Sequence, residues 1–364
     1  EFISHFAEVC LFIFLLWRDN ESILFCKFAA LMSKIGFWIK NARHISLPQS
    51  LLPGFLAIGM SLDYGSFSWG LSLVALCGVA CAHLGMNLLD DYYDYRQGSG
   101  EKRVKLAAGG VRARVAKYPY LTSGQATVGD LVVAISLFLL LAAVAGSVVI
   151  YFRGVVPFYI TVVGAILGIS YSGKPLRLGY YGYGELLIGL MFGPLLMIGV
   201  QYAACGVLDG RIVLVGIAVG LLVTNILYSH SVLDAQADAQ MEKLTLARLL
   251  KGRNAVLAAS AVFNFVPFLL IIAGVSVGML PAAYLCVLVL LPIAVFLWRS
   301  LRRFVDGLPE EIVLKKWFGP MSNFPAYREA GIDWFMYRWL MARNLISFFA
   351  LVLLLVNVVL KIAA

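Results

Sequence analysis

The chain has 364 residues, of which 61% are apolar and 13% charged, against roughly 25% charged in an ordinary soluble domain. So much apolar sequence exceeds what a soluble core absorbs, so lipid must serve as part of the solvent. The formal net charge of +9 sits between apolar blocks, which points to membrane topology and away from nucleic acid as a partner.

Residues 1–39 come first. Their apolar stretch at 9–17 is too short to span a bilayer, acidic residues precede it, and no clear small-residue cleavage site follows. An interfacial or partly buried helix is expected at 1–39, with a single transmembrane domain over 40–364. The six cysteines show no C-x-x-C spacing and mostly lie in apolar runs, so neither a disulfide framework nor a zinc site is expected.

Nine apolar spans follow, at about 45–62, 70–89, 129–152, 155–172, 184–206, 211–229, 254–277, 280–298 and 339–360. The expected fold is therefore an all-α membrane protein of about nine transmembrane helices. Gly and Pro inside the spans, such as Pro53, Gly54, Gly189, Gly193 and Pro194, are tolerated where neighbouring helices satisfy the freed backbone groups. With the amino terminus in the cytoplasm, every one of the 29 Lys and Arg except Arg153, Arg211 and Lys361 falls on the inner side. That asymmetry predicts a multi-pass protein of the cell (inner) membrane, with an odd number of spans. The inner loops are long, so the chemistry is expected on the cytoplasmic face. The stretch 299–338, punctuated by Pro309, Gly319, Pro320, Pro325 and Gly331, reads as a loop with some short helix.

Two acidic clusters stand at cytoplasmic span ends. N-L-L-D-D-Y-Y-D begins at Asn87; on a helix Asn87, Asp91 and Asp94 share one face and Asp90 borders it. D-A-Q-A-D-A-Q-M-E-K follows the sixth span, with Asp234, Asp238 and Glu242 spaced by four and Lys243 adjacent. Carboxylates stacked in this way repel by about 4 kcal/mol per close pair at an effective dielectric of 20, so they protonate or hold cations. Oxygen-only ligands without clustered His or Cys suit magnesium, which prefers a site shared with phosphate oxygens. Lys174 and Arg177 are the only cations in the Gly/Tyr-rich loop after span four. With Arg43 and Lys243 they form a candidate diphosphate clamp, although topology alone also accounts for such cations. His83 lies one turn before Asn87 and is read first as a packed, hydrogen-bonded residue, with contact to an acceptor as the second reading. Tyr171, Asn225 and Tyr228 are candidate pocket walls that packing explains equally well. Tyr92, Tyr93, Tyr180, Tyr181 and Tyr183 read as an interfacial aromatic belt. An ion-coupled carrier is the rival class, and its acids belong near mid-membrane on broken helices rather than at span ends.

At these residues the chain resembles the UbiA-type superfamily of intramembrane prenyltransferases, most of all the 1,4-dihydroxy-2-naphthoate polyprenyltransferases. Their N-x-x-N-D-Y-x-D and D-x-x-x-D-x-x-x-G-K-x-T-L motifs match Asn87–Asp94 and D-A-Q-A-D-A-Q-M-E-K-L-T-L from Asp234. A-R-H-I-S-L-P from Ala42 and G-E-L-L-I-G-L-M-F-G-P from Gly184 resemble further family elements. The resemblance covers roughly 38–361. It implies a ring of helices round a central cavity and magnesium-dependent transfer of a polyprenyl group from its diphosphate to an aromatic acceptor in menaquinone biosynthesis. It also implies metal ligands at Asn87, Asp90, Asp91, Asp94, Asp234 and Asp238, with Asp91, Asp94, Asp234 and Asp238 catalytic. Acceptors such as 4-hydroxybenzoate, another phenol or a glycerol phosphate stay open. Three departures stand out: Asp90 replaces the family's second asparagine, Glu242 replaces its Gly, and Glu101 is the acid nearest to the expected end of the first motif. The tract Gly110–Gly124 resembles an R-P-L-x-S-G element of other members.

Overall fold

The computed structural model describes residues 33–98, 102, 105 and 118–363. Most of the expected amino-terminal helix, Glu101 and the tract 110–117 lie outside the described residues. The chain divides into two compact units, residues 1–45 and 46–364. In the first, residues 33–41 form a helix that ends in a turn where Arg43 takes a left-handed φ of 61°.

In the second unit, helices occupy all nine expected stretches. They are α1 (Pro48–Gly59), α2 (Trp69–Arg96), α3 (Val128–Arg153), α4 (Val156–Ser172), α5 (Gly184–Cys205), α6 (Gly210–Leu233), α7 (Arg253–Ser276), α8 (Ala282–Val305) and α9 (Asp333–Ala363). No strand forms among the described residues. Seven of these helices are long and apolar enough to cross a membrane. The other two, α1 with 12 residues and α4 with 17, reach only about 18 and 26 Å at the helical rise. The turns at 60–63 cut α1 short of the span expected at 45–62.

Burial separates inner from outer helices. The apolar window of α6 is 72% buried, against 17% for α3. α6 packs on α5, α7 and α9, whereas α3 runs along α2 and exposes Val133, Leu137, Leu140 and Val144, as a lipid-facing helix does. The α5–α6 crossing is made by glycines. A Cβ on Gly193 would lie 2.4 Å from Gly216 O and Gly220 Cα, and one on Gly189 would lie 2.6 Å from Gly220 O. Small residues four apart on both helices let the backbones touch, which is how helices associate where lipid removes the hydrophobic drive. Pro194 sits in a π turn at Met191–Leu195, which absorbs its missing N–H. Asn225 of α6 and Asn264 of α7, both fully buried, exchange amide hydrogen bonds of 3.1 and 3.2 Å.

The three cations expected on the outer side are each engaged at the end of the helices opposite to the acidic motifs. Arg153 donates to the carbonyls of Ala203, Ala204 and Ser66, Arg211 pairs with Asp209, and Lys361 lies 3.2 Å from Asp63. Burial alone would raise the Asp209 carboxyl. The Tyr64 phenol and the amide and guanidinium of Arg211 outweigh it and hold the group below its ordinary value.

α9 begins at Asp333, ahead of the expected 339, because a charged residue lies inside it. Arg338 is 3% exposed and pairs with Glu310 at 2.6 Å. The rest of the α8–α9 connection holds a short turn at Lys316–Phe318 and a helix at Phe324–Glu329, as its punctuation predicts.

Candidate active site

The first acidic cluster lies in the last three turns of α2, which continues to Arg96. Asp91 and Asp94 are buried, at 6% and 3% exposure. Tyr120 donates its phenol to Asp91 Oδ2 (3.0 Å) and Tyr180 donates to Asp94 Oδ1 (2.6 Å). Asp90 is half-buried and accepts from Ser172 Oγ at the end of α4 (2.5 Å), so its carboxylate reaches a different helix from those of Asp91 and Asp94. Asn87 donates to Ser46 Oγ (3.2 Å).

The second cluster straddles a helix break. Asp234 ends α6 and starts the short helix Ala235–Gln240, which also carries Asp238. Both carboxylates are buried, at 0% and 2% exposure, and His230 Nε2 lies 3.1 Å from Asp234 Oδ2. Glu242 does not continue their face: the helix has ended, and Glu242 is exposed with a φ of 55°. Its N–H donates to Ala239 O while that of Lys243 donates to Asp238 O. These are the two bonds of a Schellman cap, whose left-handed position favours glycine. The family's Gly at this position thus has a backbone cause. We expect Glu242→Gly to raise the midpoint of thermal unfolding, by about 1 kcal/mol of relieved left-handed strain, without loss of function.

The loop between α4 and α5 joins the two clusters. Tyr180, expected in an interfacial belt, instead bonds Asp94 through its hydroxyl and stacks two cations on its ring. Arg177 Cζ lies 4.2 Å and Lys243 Nζ 5.6 Å from the ring centroid. Its carbonyl accepts from Leu244 N (3.2 Å), and Tyr181 pairs with Leu244 in an isolated bridge. Arg177 also bonds the Gln97 side chain. Thus Asp94, Arg177 and Lys243 meet on one tyrosine. Tyr181 and Tyr183 are exposed, at 54% and 55%, and fit a belt. Lys174 is exposed, and Arg43 is described only within the first unit.

The remaining candidates are packed or hydrogen-bonded within the protein. His83 is held by two serines, Nδ1 at 2.7 Å from Ser50 Oγ and Nε2 at 3.1 Å from Ser46 Oγ, in line with the packed reading. Asn225 is spent on its pair with Asn264, and Tyr228 is fully buried with its phenol on Val256 O. The half-buried Tyr171 ring packs under Gly179 and Gly184.

Sequence reasoning passed over Glu185 and Arg248. Glu185 is 4% exposed and its Oε1 accepts from Ser231 Oγ and Leu246 N, bracketing the second cluster. Arg248 donates to the carbonyls of Asp238 and Lys243. An acid at the first turn of an apolar span was the signal for Glu185.

Two pairs of buried carboxylates suit a magnesium ion. That ion takes one or two carboxylates plus water and phosphate oxygens rather than a closed protein cage. Among the described residues no group of three His, Cys, Asp or Glu forms such a cage.

Residues 50–318 match the UbiA prenyltransferase family. Over 244 residues the chain is 30% identical to the 1,4-dihydroxy-2-naphthoate octaprenyltransferase of Mycobacterium tuberculosis, covering 65% of this chain and 79% of that protein. It is 31% identical over 187 residues to the 2-carboxy-1,4-naphthoquinone phytyltransferase of Synechocystis, covering 50% and 60%. In fold it is similar to a UbiA homolog from Archaeoglobus fulgidus bound to GPP and Mg2+, with a TM-score of 0.54 at 13% identity over 87% of this chain and 99% of that one. It is also similar to a digeranylgeranylglyceryl phosphate synthase in membranes, with a TM-score of 0.56 at 13% identity over 91% and 100%. An all-helical, multi-pass membrane enzyme with paired acids at its helix ends is the class these features define. The chain belongs to the UbiA prenyltransferase family and is a prenyltransferase. The carrier reading falls with that membership.

Proposed function

We propose that this enzyme transfers a polyprenyl group from its diphosphate to 1,4-dihydroxy-2-naphthoate, at the cytoplasmic face of the cell (inner) membrane, in menaquinone biosynthesis. The names of the relatives support the acceptor. The observation that carries the chemistry is Tyr180, which links Asp94 to Arg177 and Lys243 and so puts an acid and two cations within reach of one diphosphate. The domain is the single transmembrane unit from about residue 40, with the helices closing round one cavity.

Asp91, Asp94, Asp234 and Asp238, with Asn87 and Asp90 beside them, would hold magnesium. A magnesium ion held there would supply positive charge against the diphosphate and so favour its departure as leaving group. Arg177 and Lys243, joined by Lys174, share the charge that grows on the diphosphate. The allylic C–O bond breaks with its electron pair going to the diphosphate. An electron-rich ring carbon of the acceptor bonds to the allylic carbon, and the ring proton passes to a carboxylate or to the released diphosphate. Apolar walls keep water from the allylic centre, and the prenyl tail leaves between helices into lipid.

The test uses the purified full chain in detergent with magnesium and labelled prenyl diphosphate. Diphosphate release and prenylated naphthoate are expected, and a chelator should abolish both. Absence of turnover with naphthoate, 4-hydroxybenzoate, other phenols and glycerol phosphate would sink the proposal. Turnover with one of the others alone would replace the acceptor. Tyr180→Phe keeps the ring for the cations and loses the bond to Asp94. We expect kcat/KM to fall about tenfold, the worth of roughly one charge-assisted hydrogen bond.

A further inference from the structure

Two glutamines are buried with neither atom of the side-chain amide bonded to a partner among the described residues: Gln49, 8% exposed, and Gln201, 0% exposed. A buried amide left unpaired carries the full desolvation penalty of its polar atoms, and such groups call for an explanation. The two differ in their surroundings. Gln201 lies in the last turns of α5, at the end opposite to the acidic motifs. Gln49 is the second residue of α1, beside Ser50 and one turn beyond Ser46. Ser50 and Ser46 grip the two ring nitrogens of His83, and Ser46 accepts from Asn87. A chain of polar contacts therefore ties the turn that bears Gln49 to the start of the first acidic motif.

We propose that the Gln49 amide binds a ring hydroxyl of the aromatic acceptor and so orients its ring beside the first motif. This rests on the prenyl transfer proposed above and deepens it. An amide offers a donor and an acceptor together, which matches a hydroxyl, also both. The prenyl tail has no polar atom to offer. The diphosphate has its cations on Tyr180, where Arg177 and Lys243 gather. His83 has both ring nitrogens engaged by serines, so its part is to hold the turn. A site with a buried amide discriminates against an acceptor that lacks the hydroxyl, because binding such a ring leaves the amide unpaired.

The experiment measures KM for the acceptor and for prenyl diphosphate separately, and the unfolding midpoint of the ligand-free protein, in wild type, Gln49→Leu and Gln49→Met. The expected result is an acceptor KM raised at least tenfold, a prenyl diphosphate KM within twofold of wild type, and an unfolding midpoint equal or higher, since an unpaired amide has been removed. An unchanged acceptor KM overturns the inference, as does an equal rise in both KM values. A midpoint lowered in both variants assigns the amide to a structural bond and also overturns it. If Gln49→Leu alone fails to fold, Gln49→Met carries the same test with a side chain of similar length. Wild type without turnover on any acceptor would instead remove the function on which the inference rests.

Discussion

Asp91→Asn and Asp234→Asn should each lower turnover by at least about 10³-fold, equivalent to some 4 kcal/mol of transition-state stabilisation, while the protein still folds. The amide is nearly the size of the carboxylate and keeps a carbonyl oxygen, so at Asp91 it can still accept from the Tyr120 phenol. What it removes is the negative charge, on which holding a hard dication depends. The ligand-free protein should lose little stability, because two buried acids three residues apart, Asp91 and Asp94, repel each other when both are ionised. An unfolding midpoint unchanged or raised, together with lost turnover and a raised magnesium requirement, is the expected signature of a charge kept for function. The measurement is turnover against magnesium concentration, with the unfolding midpoint taken on the same preparations. Either variant with near-normal turnover would remove that aspartate from the metal site. Tyr120→Phe is the control for the hydrogen bond itself, and its effect should be the smaller one.

The helix positions were legible because apolar length and Lys/Arg asymmetry are consequences of the bilayer itself. All nine expected stretches are helical, seven of them long and apolar enough to cross a membrane, and the three exceptional cations each have a partner at the end opposite to the acids. What was not legible depended on contacts distant in sequence. The start of α9 was misplaced because Arg338 looks like a membrane boundary until Glu310, 28 residues away, neutralises it. Tyr180 looked like one more interfacial aromatic, and nothing local to Tyr-rich sequence says that its hydroxyl reaches Asp94, 86 residues away. Glu242 fell in step with Asp234 and Asp238 by spacing alone. Spacing assumes a continuous helix, and this one stops at Gln240. The one local signal of that stop is an acid where the family carries glycine, and it reads equally as one more carboxylate on the face.

Site and scaffold meet at the α5–α6 crossing, where the second-largest effect is expected. Gly193→Ala should destabilise the protein by about 3 kcal/mol, the upper part of the usual range for overpacking, because its Cβ would meet backbone. The obstructing atoms, Gly216 O and Gly220 Cα at 2.4 Å, belong to α6 and cannot rotate away as a side chain could. Gly220→Ala meets Gly189 O at 2.6 Å and should cost a similar amount. Gly146→Ala provides the contrast: that position in α3 has nothing within 4 Å, so alanine there should be neutral or stabilise by up to about 1 kcal/mol through helix propensity. Unfolding midpoints of the detergent-solubilised variants decide the matter, and equal behaviour of all three would refute the close contact. The double variant Gly193→Ala with Gly220→Ala should cost less than the sum of its parts, since one separation of the helices relieves both clashes. That separation also acts on chemistry. Glu185 at the head of α5 holds Ser231 of α6 and the Leu246 amide, and Asp234 follows Ser231 by three residues. Spreading the crossing therefore moves the second aspartate pair, with Lys243 bonded to Asp238, away from Tyr180 and Arg177, so Gly193→Ala should lose turnover even at temperatures where it remains folded.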